Sequence, residues 1–196
     1  MKADASESYT SNMIRILAIS GSLRQSSLNT ALLRAAVHLA PPGIEILIYG
    51  GLGTLPLFNA DLEGFEPPSV HDFRAELRAA RGVLIASPEY AHGITGVLKN
   101  GLDWVVGSGE FVGKPVALLN TSTRATHAQE SLKEVLKTMD AQIVIDASRV
   151  IPLPYKIDEA AILALPELSH RLRSAIASFA NVFSEFSAQA KIETGA

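Results

Sequence analysis

The chain has 196 residues, of which 47% are hydrophobic and 19% charged, and its 17 basic and 20 acidic side chains give a net charge of −3. This composition is typical of a packed globular protein and argues against a basic nucleic-acid binder or an anionic-membrane binder. The chain has no cysteine, which excludes a disulfide scaffold, a thiol nucleophile, and zinc or iron–sulfur sites with cysteine ligands.

Length and local composition predict one domain with short ends. Residues 1–12 are polar and predict a disordered leader, residues 13–190 predict a single domain, and residues 191–196 predict a C-terminal tail. The leader lacks the apolar region of a secretory signal, and no run approaches the roughly 20 apolar residues of a spanning helix. We therefore expect a cytoplasmic location.

Short apolar, β-branched runs alternate along the chain with segments that have helical spacing. The predicted strands are residues 14–19, 44–49, 83–86, 115–120 and 142–147. The predicted helices are residues 28–39, 70–80 (with Ser69 as N-cap), 95–106, 125–139, and 159 to about 188 with an interruption near Pro166. A long loop, residues 50–67, follows the second strand.

Strands that alternate with helices at this spacing predict βαβ units and a parallel sheet. Five strands and five helices fit an α/β fold of the flavodoxin-like type, a doubly wound parallel sheet of order 2-1-3-4-5 with helices on both faces. In such a sheet, ligands bind beyond the carboxyl ends of the strands, at the switch point between strands 1 and 3. The loops after residues 19 and 86 are therefore the first candidates for a site.

The loop after the first strand has the composition of a phosphate site. It reads S-G-S-L-R-Q-S-S-L-N, residues 20–29, and leads into a helix. Backbone N–H groups and the helix dipole favour an anion at such a start, and Arg24 can form charge-assisted hydrogen bonds with phosphate oxygens. The alternative is that Ser26 or Ser27 only caps the helix and Arg24 is solvated.

Other nucleotide motifs do not fit this sequence. No G-x-G-x-x-G opens the first helix, which disfavours a dinucleotide site. The run G-E-F-V-G-K at residues 109–114 has the wrong glycine spacing for a P-loop, and Pro115 stands at the Ser/Thr position. A mononucleotide, with FMN as the leading candidate in this fold, remains.

The loop after the third strand suits a planar ligand. It reads S-P-E-Y-A-H-G-I-T-G and continues V-L-K-N-G-L-D-W, residues 87–104. Pro88 fixes the turn, and Gly93 allows the backbone to approach a flat ring closely. The alternative is that Tyr90 and Trp104 only pack. We favour packing for Trp104, and ligand contact for residues 88–90 because of their switch-point position.

The motifs G-S-L-R-x-x-S-x-N and S-P-E-Y-x-x-G-x-x-G-x-L-K-N-x-x-D-W together resemble the NADPH-dependent FMN reductase family, which includes flavin, quinone, azo-dye and chromate reductases. The resemblance covers residues 14 to about 180. This chain departs from the family pattern at Ala91, where many members have Asn. It also departs in the loop 121–127, which has no glycine here but is often glycine-rich in the family.

The resemblance implies that the FMN phosphate contacts Ser22, Arg24, Ser27, Leu28 and Asn29, and that Pro88, Glu89 and Tyr90 border the isoalloxazine ring. We also predict cofactor contacts at Ser20, Ala91, His92, Gly93, Thr121, Ser122 and Thr123.

The resemblance also implies the activity. Hydride would pass from NADPH or NADH to N5 of FMN, and then to a quinone, flavin, azo compound or similar acceptor, in ping-pong order and without a catalytic side chain or a metal ion. The helix at residues 99–104 would pack in a homodimer or homotetramer interface, and we expect no nucleic-acid or membrane partner.

Three alternatives stay open. The first alternative concerns the function: instead of a reductase, the protein would be a flavodoxin-like electron carrier or a non-catalytic flavin-binding module. The modest net charge of −3 argues against a carrier, since such proteins use strong acidic charge to attract their partners. His92 and His127, in the predicted site loops, position substrate or relay a proton, or they are simply solvated. The loop 50–67 lies over the substrate side as an apolar wall, or it wraps the edge of the sheet or meets a partner subunit.

Overall fold

The computed structural model describes residues 13–193, and side-chain surroundings as far as residue 184. The predicted leader and residues 194–196 of the predicted tail lie outside the described residues. The strands are β1 (Ile14–Ser20), β2 (Ile44–Ile48), β3 (Gly82–Ala86), β4 (Glu89–Tyr90), β5 (Gly93–Ile94), β6 (Pro115–Asn120), β7 (Gln142–Ile143) and β8 (Arg149–Val150). The helices are α1 (Leu28–His38), α2 (Pro68–Ala79), α3 (Gly96–Asp103), α4 (His127–Thr138), α5 (Glu159–Ala164) and α6 (Pro166–Glu193).

The main sheet is parallel and has the order β2-β1-β3-β6-β7, with β8 also pairing with β6. In terms of the five predicted strands this is the order 2-1-3-4-5, so the flavodoxin-like prediction is confirmed. The strands β3 and β6 are buried along their whole length, as expected of parallel strands covered on both faces. A separate antiparallel hairpin joins β4 to β5.

Alternate residues of each strand support two cores on opposite faces of the sheet. Ile16 and Ala18 of β1 belong to the core that α1 and α6 cover. Leu17 and Ile19 belong to the core that α2, α3 and α4 cover. Of the described helices, none is both long enough and apolar enough to cross a membrane.

The fifth predicted strand is wrong in its extent. Pairing with β6 stops after Ile143 and resumes at Arg149. Ser148 causes this break, because its hydroxyl accepts a hydrogen bond from the backbone N–H of Leu118 (3.0 Å) and donates one to the carbonyl of Val144 (2.8 Å). A side chain thus replaces one rung of the backbone ladder at the sheet edge.

Prolines set two helix boundaries. The helix α2 begins at Pro68, with Pro67 at the N-cap, so the predicted N-cap Ser69 is wrong. Proline is favoured in a first turn because its missing N–H would have no acceptor there. Pro166 separates α5 from α6, at the predicted interruption, since proline disrupts the interior of a helix.

The loop 50–67 packs on α3. The Asn100 side chain accepts a hydrogen bond from the N–H of Phe58 (2.8 Å) and donates one to the carbonyl of Pro56 (2.9 Å). Nε1 of Trp104 also donates to Pro56 (2.8 Å), and Trp104 is only 1% exposed. Trp104 is therefore a packing residue, as the sequence favoured, and the loop covers the α3 side of the sheet.

Candidate functional site

A cleft of about 880 Å³ opens at the carboxyl ends of β1, β3 and β6. Parallel strands bring the loops that follow them to one edge of the sheet, although these loops are far apart in sequence. Eight of the sequence-predicted residues line the cleft: Ser22, Arg24, Ser27, Leu28, Asn29, Pro88, Tyr90 and Thr121.

The start of α1 forms one end of the cleft. Ser27 is the N-cap, and its hydroxyl accepts a hydrogen bond from the backbone N–H of Thr30 (3.3 Å). The first backbone hydrogen bond of α1 runs from the N–H of Ala31 to the carbonyl of Ser27 (2.9 Å). The N–H groups of Leu28 and Asn29 therefore have no acceptor within the helix and are free to bind an anion. Ser22 and the exposed Arg24 lie in the same loop. This donor set matches a monophosphate.

A close contact between loops holds this end in place. The N–H of Gly21 donates to the carbonyl of Ala86 (2.9 Å), and the hydroxyl of Thr95 donates to the carbonyl of Gly21 (2.7 Å). A Cβ atom at Gly21 would lie only 2.6 Å from Cβ of Ser87. The backbone of Gly21 in the loop after β1 therefore packs directly against the side chain of Ser87 in the loop after β3, and only glycine fits at position 21.

Ser20 lies beneath this loop rather than in the cleft. Its side chain is buried, with Oγ 2.7 Å from Oγ1 of Thr30. The same hydroxyl accepts a hydrogen bond from the N–H of Ser22 (3.3 Å). Ser20 thus joins the loop to α1 from inside, and it is absent from the cleft lining.

The hairpin β4–β5 stands beside the cleft. Both of its turn residues, Ala91 (φ 50°) and His92 (φ 58°), have left-handed backbone conformations. Two-residue hairpin turns of this kind prefer Asn-Gly or similar residues, because L side chains rarely adopt positive φ. Tyr90 lines the cleft from this hairpin, whereas Glu89, Ala91, His92 and Gly93 do not.

His92 and His127 contact each other at the rim of the hairpin. Their rings meet edge to face, with centroids 4.6 Å apart. Nδ1 of His92 also lies 3.5 Å from Oε1 of Glu89. Both rings are exposed, and neither lines the cleft.

The loop after β6 is organised by Asn120. Its side-chain nitrogen donates to the carbonyl of Ala125 (2.8 Å), and its oxygen accepts from the N–H of Ser122 (2.9 Å). The hydroxyl of Thr121 donates to Oδ1 of the buried Asn29 (3.4 Å). Thr121 therefore ties this loop to α1 and lines the cleft, whereas Ser122 and Thr123 lie outside it.

Sequence reasoning missed a whole wall of the cleft. This wall comes from α1 and from the segment 155–163, and its main residues are Arg34, Tyr155, Lys156, Ile157, Asp158, Glu159 and Leu163. The segment follows the fifth strand position, and the carboxyl end of every parallel strand faces the same edge. Inspection of that loop would have found it.

The acidic side chains of this wall have hydrogen-bond partners, whereas its basic side chains form no ion pair with any described residue. Oδ1 of Asp158 accepts the N–H of Ala161 (2.9 Å), and Oε1 of Glu159 lies 2.7 Å from Nε2 of His38. Within the described part of the chain, Arg34 and Lys156 form no ion pair. The wall therefore carries charges of both signs, with Asp158 and Glu159 beside Arg34 and Lys156.

Comparisons with known sequences found similar proteins over much of the chain. The sequence model of the NADPH-dependent FMN reductase family matches residues 14–153. An NAD(P)H-dependent FMN reductase of Pseudomonas aeruginosa is 42% identical over 137 residues, which are 66% of this chain and 73% of the relative. An NADPH:quinone oxidoreductase of Arabidopsis thaliana is 44% identical over 115 residues, 56% of this chain and 58% of the relative. A quinone reductase of Escherichia coli (strain K12) is 32% identical over 143 residues, 68% of this chain and 75% of the relative.

Solved structures show the same architecture. The flavoenzyme NAD(P)H:(acceptor) oxidoreductase from Paracoccus denitrificans has a TM-score of 0.71 at 25% identity, covering 86% of this chain and 98% of that one. A flavodoxin from the domain Archaea has a TM-score of 0.59 at 12% identity, covering 86% of this chain and 99% of that one. The second likeness concerns the fold alone.

Proposed function

Because the chain belongs to the NADPH-dependent FMN reductase family, we propose that it is an FMN-dependent oxidoreductase. It takes hydride from NADPH or NADH and passes it to a small oxidised acceptor such as a quinone, a flavin or an azo compound. The observation that carries this proposal is the cleft at the switch point of the sheet, where the free N–H groups of α1 and Arg24 line one end.

The residues of the cleft fit FMN. The N–H groups of Leu28 and Asn29, the hydroxyls of Ser22 and Ser27, and the Arg24 guanidinium would hold its phosphate. Cofactor sites in proteins measure about 300–1,000 Å³, and the cleft lies within that range. Pro88, Tyr90 and Thr121, which also line the cleft, would border the rest of the molecule.

When bound, FMN supplies the hydride chemistry, accepting and then donating a hydride equivalent. The protein's residues bind and orient: Gly21 and Ser87 hold two loops in contact, and Thr121 joins the third to α1. With no cysteine in the chain, a dithiol relay is excluded. Donor and acceptor therefore use the one cleft in turn, which leads to ping-pong kinetics.

Anaerobic reduction tests this function. The purified chain is loaded with FMN, and the visible absorption of the bound flavin is followed as NADPH or NADH is added. Bleaching by a coenzyme, followed by recovery on addition of a quinone, is the expected result. A protein that binds FMN but is not reduced by either coenzyme would instead be an electron carrier or a flavin-binding module, and a protein that does not bind FMN would overturn every flavin assignment.

We also propose that two copies of the chain associate through α3 and the loop 50–67, and that the protein works in the cytoplasm, where a nicotinamide coenzyme is renewed. Leu57 is 85% exposed on this loop, and Val106, also exposed, follows α3. The hydrogen bond from Trp104 to Pro56 joins the two segments. Sedimentation of the protein and of Leu57→Asp tests the association, since a buried carboxylate would disfavour a dimer.

A further inference from the structure

Thr95 is buried between the loops after β1 and β3, and its side chain does not cap its own helix. It occupies the N-cap position of α3 and is only 3% exposed. A threonine at an N-cap ordinarily accepts a hydrogen bond from a backbone N–H of the first turn, but Thr95 accepts none. Its hydroxyl instead donates to the carbonyl of Gly21, 74 residues away in sequence, at 2.7 Å. The side chain of Thr95 therefore serves the loop after β1.

The peptide group between Gly21 and Ser22 is held at both of its polar atoms. Its carbonyl accepts the hydrogen bond from Thr95, and its N–H, which belongs to Ser22, donates to Oγ of Ser20 at 3.3 Å. Ser20 is also buried, and its Oγ lies 2.7 Å from Oγ1 of Thr30 on α1. Because the C=O and N–H of a planar trans peptide point in opposite directions, two hydrogen bonds from opposite sides fix the orientation of the plane.

Gly21 does not fix this orientation by itself. Glycine is required there for space, because an added Cβ would lie 2.6 Å from Cβ of Ser87. A glycine backbone, however, has access to more conformations than that of any other residue. The buried hydroxyls of Ser20 and Thr95 therefore restrict a peptide group that the glycine leaves free to rotate.

The direction of the Gly21 carbonyl matters for the charge at the phosphate end of the cleft, which Ser22 lines. A carbonyl oxygen carries a partial negative charge, so a carbonyl that faced the cleft would repel a bound phosphate. Without the Thr95 hydroxyl, this carbonyl would be buried without a donor, a state that costs free energy. Rotation of the peptide group toward the cleft would relieve that cost and weaken the anion site.

We propose that Thr95 is a positioning residue for FMN, which holds the Gly21 carbonyl inside the protein and so keeps a carbonyl oxygen away from the phosphate. This inference rests on the proposed function, since FMN is the ligand, and it extends the cofactor machinery to a side chain that does not line the cleft. Loss of the hydroxyl weakens FMN binding by about 10-fold. It leaves riboflavin, which lacks the phosphate, nearly unaffected.

Thr95→Val tests the proposal, because valine keeps the branched shape of threonine and lacks the hydroxyl. FMN and riboflavin are each titrated into the flavin-free protein, and quenching of their fluorescence gives two dissociation constants. We expect the preference for FMN over riboflavin to fall about 10-fold in Thr95→Val. Thr95→Ser keeps the donor and retains the preference of the parent protein. If Thr95→Val does not fold, Thr95→Ala takes its place with the same expected fall.

Ser148→Ala is the matched control for the loss of a structural hydroxyl. Its Oγ also joins two backbone groups, those of Leu118 and Val144, but Ser148 does not line the cleft. Urea titration should show a lower free energy of unfolding in this variant, with the preference for FMN unchanged. A residue that only stabilises the fold would behave as Ser148 does.

The outcomes separate this inference from the proposed function. Equal losses of FMN and riboflavin affinity in Thr95→Val, or no loss of either, would overturn the positioning role. An equal fall in the preference for FMN in Ser148→Ala or in Thr95→Ser would overturn it as well. Since no coenzyme is added, the titrations decide the role of Thr95 even if neither NADPH nor NADH reduces the flavin, a result that would contradict only the reductase function.

Discussion

The carboxylate of Glu89 accepts a hydrogen bond from the backbone N–H of Ala128 at 2.8 Å, and this contact fixes the β4–β5 hairpin on the first turn of α4. A negative charge at that position also interacts favourably with the helix dipole. The family resemblance places Glu89 beside the cofactor. In the structure its side chain orients the hairpin, and Tyr90 is the neighbour that lines the cleft.

Replacing Glu89 tests this positioning role. Glu89→Ala removes an acceptor from a helix N-terminus and lowers the free energy of unfolding by about 1–2 kcal/mol. Glu89→Gln keeps an oxygen acceptor and loses less. Urea titrations measure both, with Glu134→Ala on the exposed surface of α4 as the control. Equal losses in Glu89→Ala and Glu134→Ala would contradict the contact.

Gly21→Ala tests the junction between the loops after β1 and β3. The added Cβ would lie 2.6 Å from Cβ and 3.1 Å from Cα of Ser87, so one loop must shift. We expect weaker FMN binding, measured by fluorescence quenching, and a lower melting temperature. Gly96→Ala is the control, because nothing lies within 4 Å of its Cβ position.

A double variant makes the steric argument specific. Ser87→Gly removes both the Cβ and the hydroxyl that Gly21→Ala would contact, so it should restore part of the lost FMN affinity. A double variant that binds FMN no better than Gly21→Ala would show that the contact with Ser87 is not the cause.

Arg24→Ala tests the phosphate end of the cleft. A charge-assisted hydrogen bond contributes about 1.5–3 kcal/mol, so FMN affinity should fall roughly 10- to 100-fold, as measured by equilibrium dialysis. Ser22→Ala loses a neutral hydrogen bond and should lose less. Arg173→Ala, outside the cleft, serves as the control. Riboflavin, which lacks the phosphate, should bind Arg24→Ala and the parent protein equally, and unchanged FMN affinity would refute the assignment.

The turn of the β4–β5 hairpin predicts a stabilising substitution. Ala91 has a φ of 50°, which costs an L residue about 1–2 kcal/mol relative to glycine. Ala91→Gly should therefore raise the free energy of unfolding, by up to about 1 kcal/mol after the added entropy of the unfolded chain. Ala177→Gly, at an exposed site inside α6, should lower it by about 1 kcal/mol. Chemical denaturation of both variants should show opposite signs.

Tyr49 predicts a loss of stability at alkaline pH. Partial burial raises the pKa of the Tyr49 hydroxyl above its ordinary value, and the nearby carboxylates of Asp72 and Glu76 raise it further by smaller amounts. The folded chain therefore keeps the proton where the unfolded chain has lost it, and stability falls as the pH rises from about 10 through the folded pKa.

Tyr49→Phe isolates this effect, because phenylalanine keeps the ring contact with Phe73. The difference in free energy of unfolding between the variant and the parent protein should be constant at neutral pH. Above about pH 10 it should move in favour of the variant. A difference that stays constant to the highest pH at which the protein is folded would contradict the raised pKa.

The sequence predicted the sheet well, and marked the phosphate loop as a candidate, for a local reason. Apolar runs of strand length, helical spacing and serines before a helix are patterns within about ten residues, and each local pattern agrees with the fold. The same reasoning failed where a side chain overrides the pattern. Ser148 interrupts the fifth strand, whose apolar run alone predicts continuous pairing.

The sequence by itself predicted strands that alternate with helices, and the flavodoxin-like fold that they fit supplied the sheet order and pointed to the loops after strands 1 and 3. The family resemblance added the loop after strand 4. Tertiary structure alone decided which side chains enter the cleft. Glu89 turns to Ala128, 39 residues away, and Arg34 shares a wall with Lys156. Such contacts join residues that are far apart in sequence. The direction of each side chain depends on which partner lies nearest after folding, so no local sequence pattern predicts that direction.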